Sequence, residues 1–264
     1  MAVALALFFW LVAIVTVALF VARVWWLPEL ISAHGAAVDQ QLVLTLATAG
    51  FVFLLAHIGL GYFIWRYRAR GRERASYWHE NPKMELTWTL VTAVVFVGLG
   101  VQGNRVWADY FLSPVPPDAM TVEVTAQQFA WNIRYAGPDG KFGRTDVKLI
   151  NDASAEFLGI DPKDPTGRDD VMTQNIMAIP VNRPVRVLLR TKDVTHSFFV
   201  PQLRVKQDAV PGLSIQVHFT AIKTGEYEIA CAELCGMQHY KMRGRLLVMQ
   251  EADFQNWLKE RASL

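Results

Sequence analysis

Three long stretches of the N-terminal region carry no formal charge, and a chain built this way has few places to fold. Residues 2–22 contain no Asp, Glu, Lys or Arg, and neither do residues 42–65, where His57 is the one ionisable side chain of note. A third such run fills residues 86–104, between Glu85 and Arg105. Each reaches the roughly 20 residues that carry a helix across a bilayer core. The pattern predicts a membrane region over residues 1–112, with helices over about 2–25, 42–65 and 86–107. The overall apolar content of 52% is high for a soluble chain and is concentrated in these runs.

The first run differs from a cleaved signal. No Lys or Arg precedes it and no small-x-small site stands before Arg23, so a retained helix is expected. Arg66, Arg68, Arg70, Arg72, Arg74 and Lys83 lie between the second and third runs, and basic loops stay cytoplasmic. The N-terminus is then cytoplasmic, and everything after Arg105 lies on the outer side. Trp25 and Trp26, Trp65 and Tyr67, and Trp107 and Tyr110 stand at helix ends, where aromatic belts meet the lipid headgroups.

Residues 113–118, Ser-Pro-Val-Pro-Pro-Asp, read as a stiff linker into an outer domain over 113–264. That domain holds 18 Lys plus Arg and 18 Asp plus Glu, a balance that argues against nucleic acid as a partner. Short β runs follow one another. Residues 121–125 alternate, 129–135 are aromatic and end at a Gly-Pro-Asp-Gly turn, and 185–190, 214–219, 227–230 and 245–249 supply more. This predicts a β-sandwich or Greek-key barrel with a polar insertion over about 141–173. A terminal helix over about 251–262 would carry Phe254, Trp257 and Leu258 on one face.

The chemistry lies in Cys231-Ala-Glu-Leu-Cys235-Gly-Met-Gln-His239-Tyr-Lys-Met242, which contains both cysteines of the chain. Thiolates with imidazole select copper or zinc, and a thioether is a weak axial ligand to copper. Cysteines at i and i+4 can share two ions, His239 can ligate one, and a second imidazole must come from elsewhere. His196 is the best candidate, because it opens the aromatic segment His-Ser-Phe-Phe-Val. A Cys231–Cys235 disulfide is the plain alternative in an oxidising compartment. Zinc would want another donor in place of Met242, and a single-copper site leaves one cysteine unexplained. His218 reads as a structural residue without a partner. His57 reads as a helix-bundle histidine, and His34 and His79 as interfacial loop residues.

The run from Cys231 to Met242, the blocks Asp193-Val-Thr-His-Ser197 and Lys206-Gln-Asp-Ala-Val-Pro-Gly212, and the helical hairpin resemble subunit II of cytochrome c oxidase, in the haem–copper oxidase superfamily. The resemblance implies a membrane-anchored cupredoxin-like domain with the binuclear copper centre called CuA. By position, Cys231 and Cys235 would bridge the two coppers, His196 and His239 would each cap one, and Met242 and the Glu233 carbonyl would be weaker ligands. The Glu233 side chain would reach a magnesium ion shared with subunit I. Glu85, in Glu-Leu-Thr-Trp-Thr, would stand at the mouth of a proton pathway into that subunit.

The family's aromatic stretch matches residues 128–135, but Phe129 stands where many members have the Trp that receives electrons. Trp131 is the nearest other indole, so these two are the electron-receiving candidates. The extra first helix and the insertion imply a bacterial branch and thus the bacterial inner membrane. Expected partners are subunit I and other oxidase subunits, membrane lipid, and a donor that is cytochrome c or a membrane-bound cytochrome. Haem and CuB would belong only to the partner subunit, since this chain has no Cys-x-x-Cys-His. Oxygen would be reduced there, with proton pumping. Two other readings are a quinol oxidase subunit, whose copper ligands are generally lost, and a membrane-tethered thioredoxin-like copper chaperone.

Overall fold

Helix α1 (Ala2–Val21), helix α2 (Gly35–Arg66) and helix α3 (Pro82–Phe111) form the first structural unit. The computed structural model describes every residue except Trp25, Arg72, Glu73, Ala75, Asp152, Ala153, Ala155 and Leu264. The belt residue Trp25 and the loop residue Arg72 therefore lie outside the described residues. All three helices are long and apolar enough to cross a membrane.

Their limits differ from the charge-free runs. α1 stops at Val21, and Arg23 already has a left-handed φ of 53°. α2 starts seven residues before position 42 and α3 four before position 86. A charge-free run measures the hydrocarbon span, whereas the backbone stays helical until something breaks it. At the start of α3 that signal is Asn81, whose side chain accepts the Met84 N–H at 3.2 Å, followed by Pro82 at the first helical position.

Within the unit, Gly61 lets α1 approach α2. A methyl group there would fall 2.4 Å from Nε1 of Trp10, whose indole donates to the Ile58 carbonyl at 3.2 Å. His57 Nδ1 lies 2.9 Å from the Phe53 carbonyl of its own helix, a structural contact.

The second unit comprises residues 28–36 and 111–264. Its strands are β1 (Met120–Gln127), β2 (Ala130–Tyr135), β3 (Val171–Gln174), β4 (Ile176–Pro180), β5 (Pro184–Thr191), β6 (His196–Val200), β7 (Val205–Ala209), β8 (Ile215–Thr220), β9 (Gly225–Cys231) and β10 (Arg243–Met249). Helix α4 (Glu251–Ala262) follows them. One sheet has the order β3-β2-β1-β5-β8 and the other β4-β10-β9-β6-β7. The two sheets form the expected sandwich.

β5, β8 and β10 alternate buried and less buried residues, so Val187, Leu189, Val217, Phe219, Leu246 and Val248 face the core. Three strands are absent from the sequence reading. β3 falls largely inside the interval assigned to the insertion, and β4 is a short apolar run beside parallel β10, covered on both faces. β7 has only its two ends buried and carries Lys206, Gln207 and Asp208 between them, so no alternation announces it.

The insertion is held against β1 and β2 by a buried ionic cluster. Arg134 of β2 pairs with Glu123 of β1, and its Nη1 reaches Asp170 Oδ2 at 3.1 Å and the Gly143 carbonyl at 2.9 Å. The Phe142 ring lies 5.0 Å from the guanidinium.

The connector between α1 and α2 also belongs to this unit. Ile31 donates to the Gln202 carbonyl at 2.9 Å and accepts from Ile222 at 2.8 Å, and Ala33 donates to Thr220 at 3.0 Å. Ser32 pairs with Ala221 as an isolated bridge, and Ile31 is fully buried. His34 of this connector feels the charge of His218 in β8, so His218 has a neighbour that the sequence reading did not assign to it.

Candidate metal centre

The antiparallel pairing of β6 with β9 sets Phe198 opposite Cys231, and the Ala232 N–H reaches the Ser197 carbonyl at 3.1 Å. His196, at the start of β6, is thereby brought beside Cys231, at the end of β9, across 35 residues of chain. Its Nδ1 lies 3.9 Å from Cys231 Sγ. The loop that follows folds back so that Cys235 Sγ is 3.8 Å from Cys231 Sγ and 3.5 Å from Nδ1 of His239. Met242 Sδ lies 3.8 Å from Cys235 Sγ, and the Glu233 carbonyl oxygen 3.2 Å from Cys231 Sγ.

Both cysteines are free thiols, so the disulfide alternative does not hold here. His196, Cys235 and Met242 are buried, Cys231 and His239 half-buried, and the Glu233 side chain exposed. Among the described residues, His196, Cys231 and Cys235 are the one group of His, Cys, Asp or Glu whose ligand atoms lie within 4.8 Å of one another.

These separations fit a metal. Sulfur and nitrogen donors at about 2.3 and 2.0 Å from a tetrahedral ion stand about 3.5 to 3.8 Å apart. The donor set of two thiols, two imidazoles and a thioether matches soft, copper-type chemistry. Burial pushes the Cys231 thiol up, but hydrogen bonding to His196 and to the backbone at Glu233 outweighs it and holds the thiol at about 6. Burial, and then the charge of Cys231, push Cys235 up to about 12. The two sulfurs titrate as one pair, and two adjacent thiolates need a cation to balance them.

Asp193 orients the buried imidazole. Its Oδ1 lies 2.8 Å from His196 Nε2, which leaves Nδ1 facing the sulfurs. A turn between β1 and β2 closes the other side. Gly236 has a φ of +134°, and a Cβ there would meet Gln128 Nε2 at 2.9 Å and Phe129 Cζ at 3.1 Å. Glycine is required because Phe129 lies against this loop.

Residues 120–249 match the family described as cytochrome c oxidase subunit II, periplasmic domain. The alternative cytochrome c oxidase subunit 2 of Bradyrhizobium diazoefficiens is 36% identical over 237 residues, covering 89% of this chain and 83% of that one. The chain belongs to the cytochrome c oxidase subunit II family. Cytochrome c oxidase subunit 2 of Cereibacter sphaeroides is 31% identical, covering 83% of this chain and 73% of its own length. A solved periplasmic domain of subunit II (CoxB) of Bradyrhizobium japonicum aligns at 32% identity over 57% of this chain and 98% of that one, with a TM-score of 0.42.

Subunit II membership makes the chain part of a haem–copper terminal oxidase, membrane-anchored with a C-terminal periplasmic domain. The thioredoxin-like alternative also fails on topology, because Cys231 ends a late strand and opens no helix. The quinol alternative is not favoured by relatives named as cytochrome c oxidase subunits.

The candidates outside the cluster divide. Trp131 is fully buried, with its indole edge-on to His196 at 6.3 Å and to Phe198 at 5.7 Å. Among the described residues its Nε1 has no hydrogen-bond partner, and the ring is closed to solvent. Phe129 is half-buried against Gly236, the residue that follows Cys235. Glu85 belongs to the helical unit, exposed in the first turn of α3. Sequence reasoning missed Asp193 and Gln128 as supports of the site. The block Asp193-Val-Thr-His-Ser was visible, but its carboxylate–imidazole contact was not.

Proposed function

We propose that this subunit receives single electrons from a cytochrome c, or from a membrane-bound cytochrome, at a CuA centre and passes them to haem in subunit I. Cys231, Cys235, His196 and His239 would hold the two coppers, with Met242 and the Glu233 carbonyl as weaker ligands. The convergence of these donors around two free thiols carries the reading. Bound there, two coppers would share one electron, so each transfer changes the charge on either ion only in part.

The chain's own residues do the rest. Asp193 keeps His196 in one tautomer, and Trp131 and Phe198 pack beside it and exclude water. Phe129, half-exposed beside Gly236, is the contact for the donor. The exposed Glu233 side chain is free to face a magnesium site shared with subunit I, which holds the haem and CuB. Glu85 serves as the proton-pathway residue, and the whole sits in a bacterial inner membrane. Residues 1–112 anchor the domain formed by 113–264.

Metal analysis of the purified full-length chain tests this. Two coppers per chain, with the absorption of a mixed-valence pair, are expected. Cys231→Ser should lose that absorption and, in the assembled oxidase, cytochrome c oxidation. Phe129→Ala should keep both coppers but react more slowly with reduced donor. A single copper per chain, or cytochrome c oxidation that survives Cys231→Ser, would overturn the reading.

A further inference from the structure

The ligands come from two separate arms of the fold. His196 opens β6, whereas Cys235 and His239 lie in the loop after β9. Their spacing must be set by something that touches both arms, and Gln128, in the turn between β1 and β2, does so. Its backbone N–H donates to Asp193 Oδ2 at 2.7 Å, and the other oxygen of that carboxylate meets His196 Nε2 at 2.8 Å. Its side-chain Nε2 donates to the Cys235 carbonyl at 2.7 Å.

We propose that Gln128 is a positioning residue for the metal centre: it sets the distance between the His196 imidazole and the Cys235 sulfur before metal arrives. The proposal rests on the reading of the centre as a copper site. The physical need is specific to the Cys235 arm. The peptide after Cys235 leads into Gly236, whose φ of +134° lies where a glycine backbone has most freedom. A hydrogen bond to the Cys235 carbonyl fixes that peptide plane, and with it the direction in which the Cys235 side chain leaves the chain.

Gln128 is exposed, and an exposed glutamine ordinarily samples many rotamers in water. Here one rotamer is held by a short bond in a partly buried place. The backbone half of the link survives any substitution at this position other than proline. Changing the side chain therefore loosens only the Cys235 arm.

Glutamate separates donation from space-filling, because it has nearly the shape of glutamine but its carboxylate cannot donate to a carbonyl. The experiment uses the full-length chain in detergent, loaded with copper, as the parent, Gln128→Ala and Gln128→Glu. It reads copper retained against a competing chelator, the absorption spectrum of the loaded site, and thermal unfolding of the copper-free protein. Loss of a group that supports a metal ligand commonly weakens binding by about 10-fold or more.

Both variants are expected to lose copper affinity by about that factor, with a shifted spectrum, while the copper-free unfolding temperature matches the parent. A Gln128→Glu protein with parental affinity and spectrum would overturn the proposal, since the residue would then only fill space. So would copper-free variants that unfold well below the parent, which would make the role one of general stability. A parent that binds no copper pair would instead remove the functional reading, an outcome visible before any variant is compared.

Discussion

Asp193 Oδ1 sits 2.8 Å from Nε2 of the fully buried His196, and this one contact decides which ring nitrogen faces Cys231. The carboxylate accepts a hydrogen bond from Nε2–H, so Nδ1 presents a lone pair toward the sulfurs. Asp193→Ala should weaken copper binding by about 10- to 100-fold, the usual effect of removing a partner of a ligating histidine. Chelator competition on the full-length chain measures it, and an unchanged affinity would show that packing alone holds the ring.

Gly236 offers a test of the loop that carries Cys235. Gly236→Ala puts a Cβ against Gln128 and Phe129 at a φ of +134°, which costs about 1 to 3 kcal/mol. The expected result is a lower unfolding temperature together with a disturbed copper spectrum. A normal spectrum with only lowered stability would mean that the loop yields away from the metal.

Arg134 faces two acids in a buried place, with side-chain exposures of 2% for Arg134, 10% for Glu123 and 0% for Asp170, and Arg190 reaches Glu123 from the other side at 3.7 Å. Burial raises the Asp170 carboxyl above its ordinary range, and the nearby guanidinium works against that rise. Arg134→Met would take the paired guanidinium from buried Asp170 and leave Glu123 with only the more distant Arg190. Removing one partner of a buried pair typically costs about 3 to 5 kcal/mol. Chemical denaturation should show this loss, with early proteolysis in the insertion that the cluster holds.

Acid should loosen the connector between α1 and α2. Burial, and then the charge of His218, hold His34 down to about 4, against an ordinary 6.5, and burial also lowers His218. Both imidazoles are thus neutral in the folded domain, while the unfolded segment takes up protons more readily. The stability they contribute is complete above about pH 6.5 and falls away as the pH drops toward 4. The protection of residues 28–36 against hydrogen exchange, referred to the intrinsic rate at each pH, should fall between pH 7 and 5. Replacing both histidines with glutamine should flatten that response.

The parts legible in the sequence were local in kind. Charge-free runs report lipid-compatible segments wherever they occur, because the bilayer tests one segment at a time. The candidate ligands Cys231, Cys235, His239 and Met242 lie within one short run, so their chemistry could be read from spacing. His196 was legible only as a candidate, since its approach to Cys231 depends on the pairing of β6 with β9.

Trp131 shows the reverse case. Its place beside Phe129 in the chain suggested a second electron-receiving residue, yet the two point to different environments. Trp131 lies within β2, where the core claims it, while Phe129 stands in the turn before that strand and stays near solvent. The connector was also hidden, because its order comes from partners far along the chain, and β7 was hidden because its polar middle breaks any alternation.

The amino-acid sequence alone determined that this chain enters a membrane, that its outer part is built of strands, and that a sulfur-rich run holds its chemistry. Tertiary structure alone decided that Gln128, Asp193 and His196 converge on Cys231 and Cys235, and that the α1–α2 connector joins the β domain. Composition and spacing act on neighbours in the chain. Hydrogen bonds between distant residues exist only once the sheets have closed and excluded water from between them.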